Sequence, residues 1–191
     1  MNTSDPTVEH LAQQIHHFKP PASLPPVDQW HPARVGEIDI RIARDGTWYH
    51  EGEPIRRKEL VRLFSTILRR DEDGHSYLVT PAERLRIEVE DAHFLVTDVE
   101  VAGEGDQRRF CFTTQVGDQV LAGPDHPLWV EESATGEPSP YLAIRGRLHG
   151  RLTRALFYRL IEMTEERMVD GKPQLGITSS GIFFSLGSAT E

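Results

Sequence analysis

The chain has 191 residues, a formal charge of −9, 38% hydrophobic residues and 27% charged ones, a balance that excludes disorder along its whole length and leaves room for one domain with a core or two small ones. The acidic total repels polyanions, so nucleic acid is excluded as a default partner, and the single cysteine, Cys111, excludes an intramolecular disulfide. The N-terminus MNTSDPTVEH lacks the basic then apolar pattern of a signal peptide, and no apolar run approaches the roughly 18 residues of a membrane span. The expectation is a soluble, cytoplasmic protein with no membrane partner.

Val8, Leu11, Ile15 and Phe18 form a helical stripe, after which Pro20, Pro21, Pro25 and Pro26 forbid further helix. Residues 1–27 therefore read as an arm, a short docking helix on a stiff linker. A hairpin follows. Ile38, Ile40 and Ile42 alternate with Asp39, Arg41 and Ala43, Asp45-Gly46 supplies a two-residue turn, and Thr47 to His50 returns, with Trp48 and Tyr49 on opposite faces.

Ile55 to Arg70 (IRRKELVRLFSTILRR) predicts the longest helix of the chain. On a helical wheel Leu60, Val61, Leu63, Phe64, Ile67 and Leu68 share one side, and Arg57 falls among them. Similar residues return later: Ile55, Arg57, Leu60, Val61, Arg62, Leu63 and Phe64 match Leu152, Arg154, Phe157, Tyr158, Arg159, Leu160 and Ile161, each pair 97 positions apart (152 − 55). The chain reads as a duplication, with a second helix from Thr153 to about Met168 in which Arg154 holds the place of Arg57.

After the first helix, Ser76 to Val79 reads as a short strand. Thr80-Pro81-Ala82-Glu83 has the form of a capping box that would start a helical turn. Leu85, Ile87 and Val89 alternate with Arg86, Glu88 and Glu90, a strand with one wet face. Short runs from Phe94 to Val130, punctuated at Gly103–Asp106 and Gly117-Asp118, predict a strongly bent antiparallel sheet. Gly136, Pro138 and Pro140 separate it from a strand at Tyr141 to Arg145, and Leu175 to Thr178 with Ile182 to Leu186 predict a closing hairpin.

Enzyme signatures are missing. There is no glycine-rich phosphate loop, nucleophile elbow, paired-cysteine motif or metalloprotease histidine pair, and the adjacent His16-His17 would leave a helix on different sides. No catalytic residue, metal or cofactor is expected, and Cys111 reads as a buried inert thiol. The sharper signal is the pair of arginines. Arg57 and Arg154 are both expected to aim inward at the first turn of a helix, where the macrodipole disfavours a cation, so something negative should meet each. For Arg57 the internal candidates are Glu83, Glu90 and Asp91. If the halves pack about a pseudo-twofold axis, both guanidinium groups would face one cleft suited to a phosphate-bearing or carboxylate-bearing small molecule, with Thr80, Glu83 and Asp91 orienting it or balancing its charge.

The succession Gly36-Glu37-Ile38-Asp39-Ile40, Asp45-Gly46-Thr47-Trp48, Gly52-Glu53-Pro54-Ile55-Arg56-Arg57, Leu60-Val61-Arg62-Leu63-Phe64, Leu78-Val79-Thr80-Pro81-Ala82-Glu83 and Val89-Glu90-Asp91-Ala92-His93-Phe94 resembles the bacterial domain of unknown function 1285 family, over about Trp30 to Leu186. The resemblance implies an α+β chain with duplicated motifs, a C-terminal half superficially similar to pleckstrin-homology-like folds, a binding site between the halves for a nucleotide-like ligand, and a role in signal transduction. It carries no catalytic residues. His93 departs from the family pattern, where a proline is expected after Ala92.

The resulting expectation is an α+β protein with a duplicated strand-helix-strand motif: an arm at 1–27, an N-terminal α+β domain at 28–91 and a sheet-rich C-terminal domain at 92–191. Its function is expected to be non-enzymatic binding of an anionic, nucleotide-like small molecule through Arg57, Arg154, Thr80, Glu83 and Asp91, with a regulatory output. The alternatives are a protein-interaction scaffold whose arginines are locked in internal salt bridges and, last, an enzyme of unrecognised type.

Overall fold

A computed structural model describes residues 24–132 and 136–189, so the helix expected at Val8–Phe18 and the His16-His17 pair lie outside the described residues. The chain divides into two compact units, Met1–Ala92 with Gly146–Leu148, and His93–Arg145 with His149–Glu191. Among the described residues it is mostly β-sheet with two α-helices, an α+β chain.

The first unit contains β1 (Arg34–Ile42), β2 (Trp48–His50), β3 (Glu53–Pro54), α1 (Lys58–Thr66), β4 (Leu68–Arg70), β5 (Ser76–Val79) and β6 (Glu83–Val89). The six strands form one sheet in the order β3-β2-β1-β6-β5-β4. Neighbours are antiparallel except β1 and β6, which run parallel and slip register between Glu37 and Arg41. Alternation sets the core face: Ile38, Ile40, Ile42, Trp48, Leu85 and Ile87 are buried. Helix α1 adds Leu60 and Phe64, and the Phe64 ring lies 6.5 Å from that of Trp48. Tyr49, on the other face of β2, is half-buried beneath Arg41.

Three expectations fail in this unit. The Asp45-Gly46 turn is wider than two residues, because Ala43 N–H donates to the Thr47 carbonyl and Gly46 takes a φ of 84° inside the loop. The first helix ends at Thr66 rather than Arg70. The Ser65 and Thr66 hydroxyls bond back to the Arg62 and Leu63 carbonyls, and Leu68–Arg70 turns into a strand paired with Ser76–Leu78. Finally, Thr80–Glu83 starts no helix. It is the tight turn between β5 and β6, where the Thr80 hydroxyl accepts from the Ala82 and Glu83 amides and the Thr80 amide donates to the Glu83 carbonyl.

The second unit contains β7 (Phe94–Ala102), β8 (Arg109–Thr114), β9 (Gln119–Leu121), β10 (Leu128–Glu132), β11 (Pro138–Arg145), β12 (Leu148–Leu152), α2 (Arg154–Ile161), β13 (Glu165–Val169), β14 (Lys172–Ser179) and β15 (Ile182–Ser188). In place of one bent antiparallel sheet there are two sheets, β10-β11-β12-β7-β8-β9 and β13-β14-β15, and the β12–β7 pair is parallel. Ser179 links them: its hydroxyl accepts from Phe110 N–H and donates to the Ala122 carbonyl.

Pro138 and Pro140, expected as a break, sit inside β11 opposite Glu132 and Val130. The second helix stops at Ile161 instead of reaching Met168. Met163 and Thr164 N–H close its last turn, and Asp170-Gly171, both at positive φ, fold Glu165–Val169 back as a hairpin strand on Lys172–Gly176. The closing hairpin is therefore a three-stranded meander.

Each half carries a helix followed by such a meander. Shifting the first helix, 58–66, by 97 positions gives 155–163, against Arg154–Ile161 for the second, and β4-β5-β6 then falls on β13-β14-β15. Among the described residues no helix is long and apolar enough to cross a membrane.

Candidate functional site

The two arginines that were expected to point inward do not. Arg57 is outside helix α1, at its N-cap position with extended backbone (φ −78°, ψ 103°), and its side chain is exposed. The wheel placed it on the apolar face only because the helix was drawn three residues too long at that end. Arg154 is the first residue of α2, behind the Thr153 N-cap whose hydroxyl accepts from Leu156 N–H. The buried stripe of α2 is Leu156, Phe157 and Leu160, and Arg154 lies beyond its edge with 74% of its side chain exposed. It reaches Glu137 at 3.9 Å and donates to the Tyr158 hydroxyl at 3.2 Å, a contact that raises its already high pKa.

The carboxylates considered as partners for Arg57 are taken by arginines of β1 and its turn. Parallel pairing places Arg34 opposite Glu83, with Nε 3.4 Å from the buried carboxylate. Arg41 binds Glu90, and Arg44 Nε lies 3.3 Å from Asp91. Thr80 and Glu83 therefore stand together at the start of β6, whereas Asp91 follows its far end. At about 3.3 Å per residue those two groups are roughly 20 Å or more apart, too far to orient one small ligand together. Thr80 spends its hydroxyl on the turn. Neither is placed as a ligand-orienting group.

What remains at Arg57 is a basic surface. Arg56, Arg57 and Lys58 are consecutive and exposed at the start of α1, and Arg62 is exposed one turn on. Among the described residues none of the four is bonded to a carboxylate, in a unit where Arg34, Arg41, Arg44, Arg69 and Arg84 all are. The arrangement opposes local stability. Cations at a helix N-terminus oppose the dipole by about 0.3–1 kcal/mol each, and like charges at i,i+4, here Lys58 and Arg62, cost about 0.2–0.5 kcal/mol. Glu59 in the first turn offsets part of this. A bound anion would add attractions to each cation and to the dipole that offset these terms.

The N-terminal domain family of the domain of unknown function DUF1285 matches residues 25–92, and the C-terminal domain family of the DUF1285 protein of unknown function matches 93–186. The chain belongs to the DUF1285 family. A crystal structure of a DUF1285 family protein from Silicibacter pomeroyi DSS-3 is 44% identical over 94% of this chain and 95% of that one, with a TM-score of 0.83. Another, from Shewanella baltica OS155, is 28% identical over 64% of this chain and 90% of that one, with a TM-score of 0.51. No functionally curated protein matches.

Two polar clusters of this DUF1285 chain escaped the sequence reading. In the first unit a hollow of about 530 Å³ is bordered by Asp28, His31, Arg69, Arg70, Asp71 and Arg84 among others. Arg69 grips Asp71 with both edges of its fork (2.6 and 3.2 Å), and Arg84 binds the same carboxylate. Arg84 also lies over the Tyr77 ring, whose hydroxyl donates to Asp73 and holds that carboxyl below the usual aspartate range. The carboxylates already occupy these guanidinium groups, so an added anion would compete with them. In the second unit a row of rings runs across β10, β11 and β12 to the residue before β7. Trp129 stacks on Tyr141, His149 meets both edge-on, and the buried His93 lies 5.0 Å from His149 at right angles. The sequence signal for it was slight: His93, the departure from the family pattern, is one of its four members. Cys111 is half-buried rather than buried. Among the described residues, no three His, Cys, Asp or Glu side chains are placed to hold a metal ion.

Proposed function

We propose that this chain is a non-enzymatic binding protein for an anionic, nucleotide-like small molecule, with a regulatory output, and that Arg57 is the group that grips the anion. The observation carrying this reading is the exposed run Arg56-Arg57-Lys58 at the start of α1, bonded to no carboxylate among the described residues, in a protein of net charge −9. A cationic patch that opposes its own helix dipole is accounted for by an anion that restores the balance. Arg154 begins the second helix in the same way, loosely held by Glu137 and Tyr158, so an anion would displace little there. The matching helix-and-meander succession supports reading the halves as copies of one strand-helix-strand motif, the C-terminal copy on a pleckstrin-homology-like plan.

The test is a thermal-shift screen against mono-, di- and cyclic nucleotides and inorganic phosphate, beside Arg57→Ala and Arg154→Ala. A ligand near 100 times its Kd adds about 2.7 kcal/mol, a midpoint rise of several degrees for a chain of this size. The rise is expected to fall in Arg57→Ala. No rise with any compound, or one that Arg57→Ala leaves intact, rejects the reading.

A second reading, a protein-interaction module, is favoured by apolar groups left in water on the second unit: Tyr158 on α2 is 56% exposed and Met168 on β13 is 63% exposed. Its original form, with both arginines locked in internal salt bridges, does not fit their exposure.

A further inference from the structure

Two consecutive arginines close β4, and among the described residues only one of them meets a carboxylate. Arg69 is fully engaged: its fork holds Asp71, and one Nη reaches the Val27 and Trp30 carbonyls. Arg84, from β6, binds the same carboxylate through Nη1, and its Nε–H is buried with no acceptor. Arg70 is half-buried, and its guanidinium makes no ion pair or hydrogen bond among the described residues. All of these groups border the hollow of about 530 Å³ in the first unit.

The border of that hollow carries an excess of positive charge where it is least hydrated. Three partly buried arginines, Arg69, Arg70 and Arg84, stand there with one partly buried carboxylate, Asp71, a surplus of two charges. The remaining acids do not cancel it. Glu72 is solvated and paired with Arg147. Asp73 gives its oxygens to His75 N–H and the Tyr77 hydroxyl, and Asp28 is exposed to water, which screens it.

We propose that this hollow is a second anion site of the first unit, one that takes a small molecule bearing a phosphate group and grips it through Arg70. The charge selects the class. A phosphomonoester carries about −1.5 to −2 at neutral pH and balances the surplus, whereas a single carboxylate balances only half of it. The volume falls in the range of small-molecule sites, roughly 300–1,000 Å³, so an organic group beyond the phosphate has room. An anion there competes with Asp71 for Arg69 and Arg84 and has no such competitor at Arg70. The site does not depend on the basic run at α1, because Arg57 follows β3, at the opposite edge of the sheet from β4.

Titration of the full chain with inorganic phosphate at neutral pH and constant ionic strength, followed by NMR of the arginine Nε–H groups, tests this. The Arg84 Nε–H, shielded from water, is the reporter beside the site. A saturable shift of its signal is expected with phosphate, and a much weaker response with acetate. Arg70→Gln should weaken phosphate binding by about tenfold or more, the loss of a charge-assisted contact, while Arg57→Ala should leave it unchanged. A shift that grows in proportion to phosphate without saturating overturns the proposal, as does saturable binding that Arg70→Gln leaves intact. If that binding is lost in Arg57→Ala instead, the phosphate belongs to α1. Acetate bound as tightly as phosphate rejects the dianion. Should Arg70→Gln loosen the fold, Arg70→Lys, which keeps the charge and loses the fork, decides: weakened binding supports the grip, and unchanged binding rejects it.

Discussion

At the scale of the residue, position relative to a helix end decides what a charge costs. Arg57 and Arg154 would have been expensive unpaired in a core, but the structure leaves both in water at helix starts. Arg57→Ala and Arg154→Ala should therefore leave the urea midpoint close to that of the wild type. A loss of several kcal/mol in either would mean that the guanidinium is buried after all. Glu83 is the opposite case. Its carboxylate is 1% exposed and faces Arg34, so Glu83→Ala should destabilise by about 2 kcal/mol, reduced from the buried-pair value because Arg34 itself is half in solvent. Asp98 offers a test by titration. The Arg159 guanidinium, 2.7 Å away, and the Val99 amide hold its carboxyl below the usual aspartate range. A depressed carboxyl stabilises the fold above its unfolded pKa, and the contribution disappears as the pH falls through the lower folded value. Carboxyl-detected NMR should find Asp98 titrating below an exposed aspartate and moving up in Arg159→Ala. An unchanged midpoint would remove Arg159 as a main cause.

At the scale of the element, strands with strict alternation were legible and boundaries set by tertiary pairing were not. Ile38-Ile40-Ile42 and Leu85-Ile87-Val89 announce their inner faces because a period of two admits no other burial, and Trp48 rather than Tyr49 proves to be the core residue. The parallel pairing of β1 with β6, which assigns Glu83 to Arg34, involves residues some 50 positions apart and has no local signature. Both helices were drawn too long for one reason. Leu68-Arg69-Arg70 and Glu165–Met168 were read as continuing their helices, but each is claimed by a strand across a turn. The expectation of an inward Arg57 failed for a related reason, since it depended on the helix beginning at Ile55. Gly176 shows how tightly the C-terminal meander is drawn. A β-carbon there would lie 2.2 Å from the Phe184 carbonyl oxygen and 2.6 Å from the Phe183 ring, at the register shift between β14 and β15. Gly176→Ala should cost about 1–3 kcal/mol, the range for overpacking, whereas Gly187→Ala, with open space around it, should cost far less. Equal midpoints in denaturant for the two variants would show that β15 can move aside.

At the scale of the whole molecule, 30 carboxylates against 21 Lys and Arg set up a self-repulsion that acts against the ion pairs in its response to salt. Many of the pairs are partly or fully solvated, as in Arg159–Asp98, Arg41–Glu90 and Arg167–Glu165, and such pairs add little to stability. Screening weakens those small attractions and the long-range repulsion together. With an excess of nine negative charges the repulsion should prevail, so Tm should rise by a few degrees between about 10 mM and 200 mM NaCl, as the Debye length shrinks from about 30 Å to below 10 Å. A falling Tm would mean that the surface pairs matter more than their exposure implies. The same experiment bears on the basic run at α1. Phosphate at matched ionic strength adds a general stabilisation through its exclusion from protein surface, which depends on total area and is unaffected by one substitution. Any increment from occupancy at Arg56-Arg57-Lys58 must shrink when Arg57 is removed. The NaCl response of Arg57→Ala should therefore match the wild type, while its excess response to phosphate is smaller. An identical excess in both proteins would place no part of the phosphate effect at Arg57 and leave the patch without a ligand of that kind.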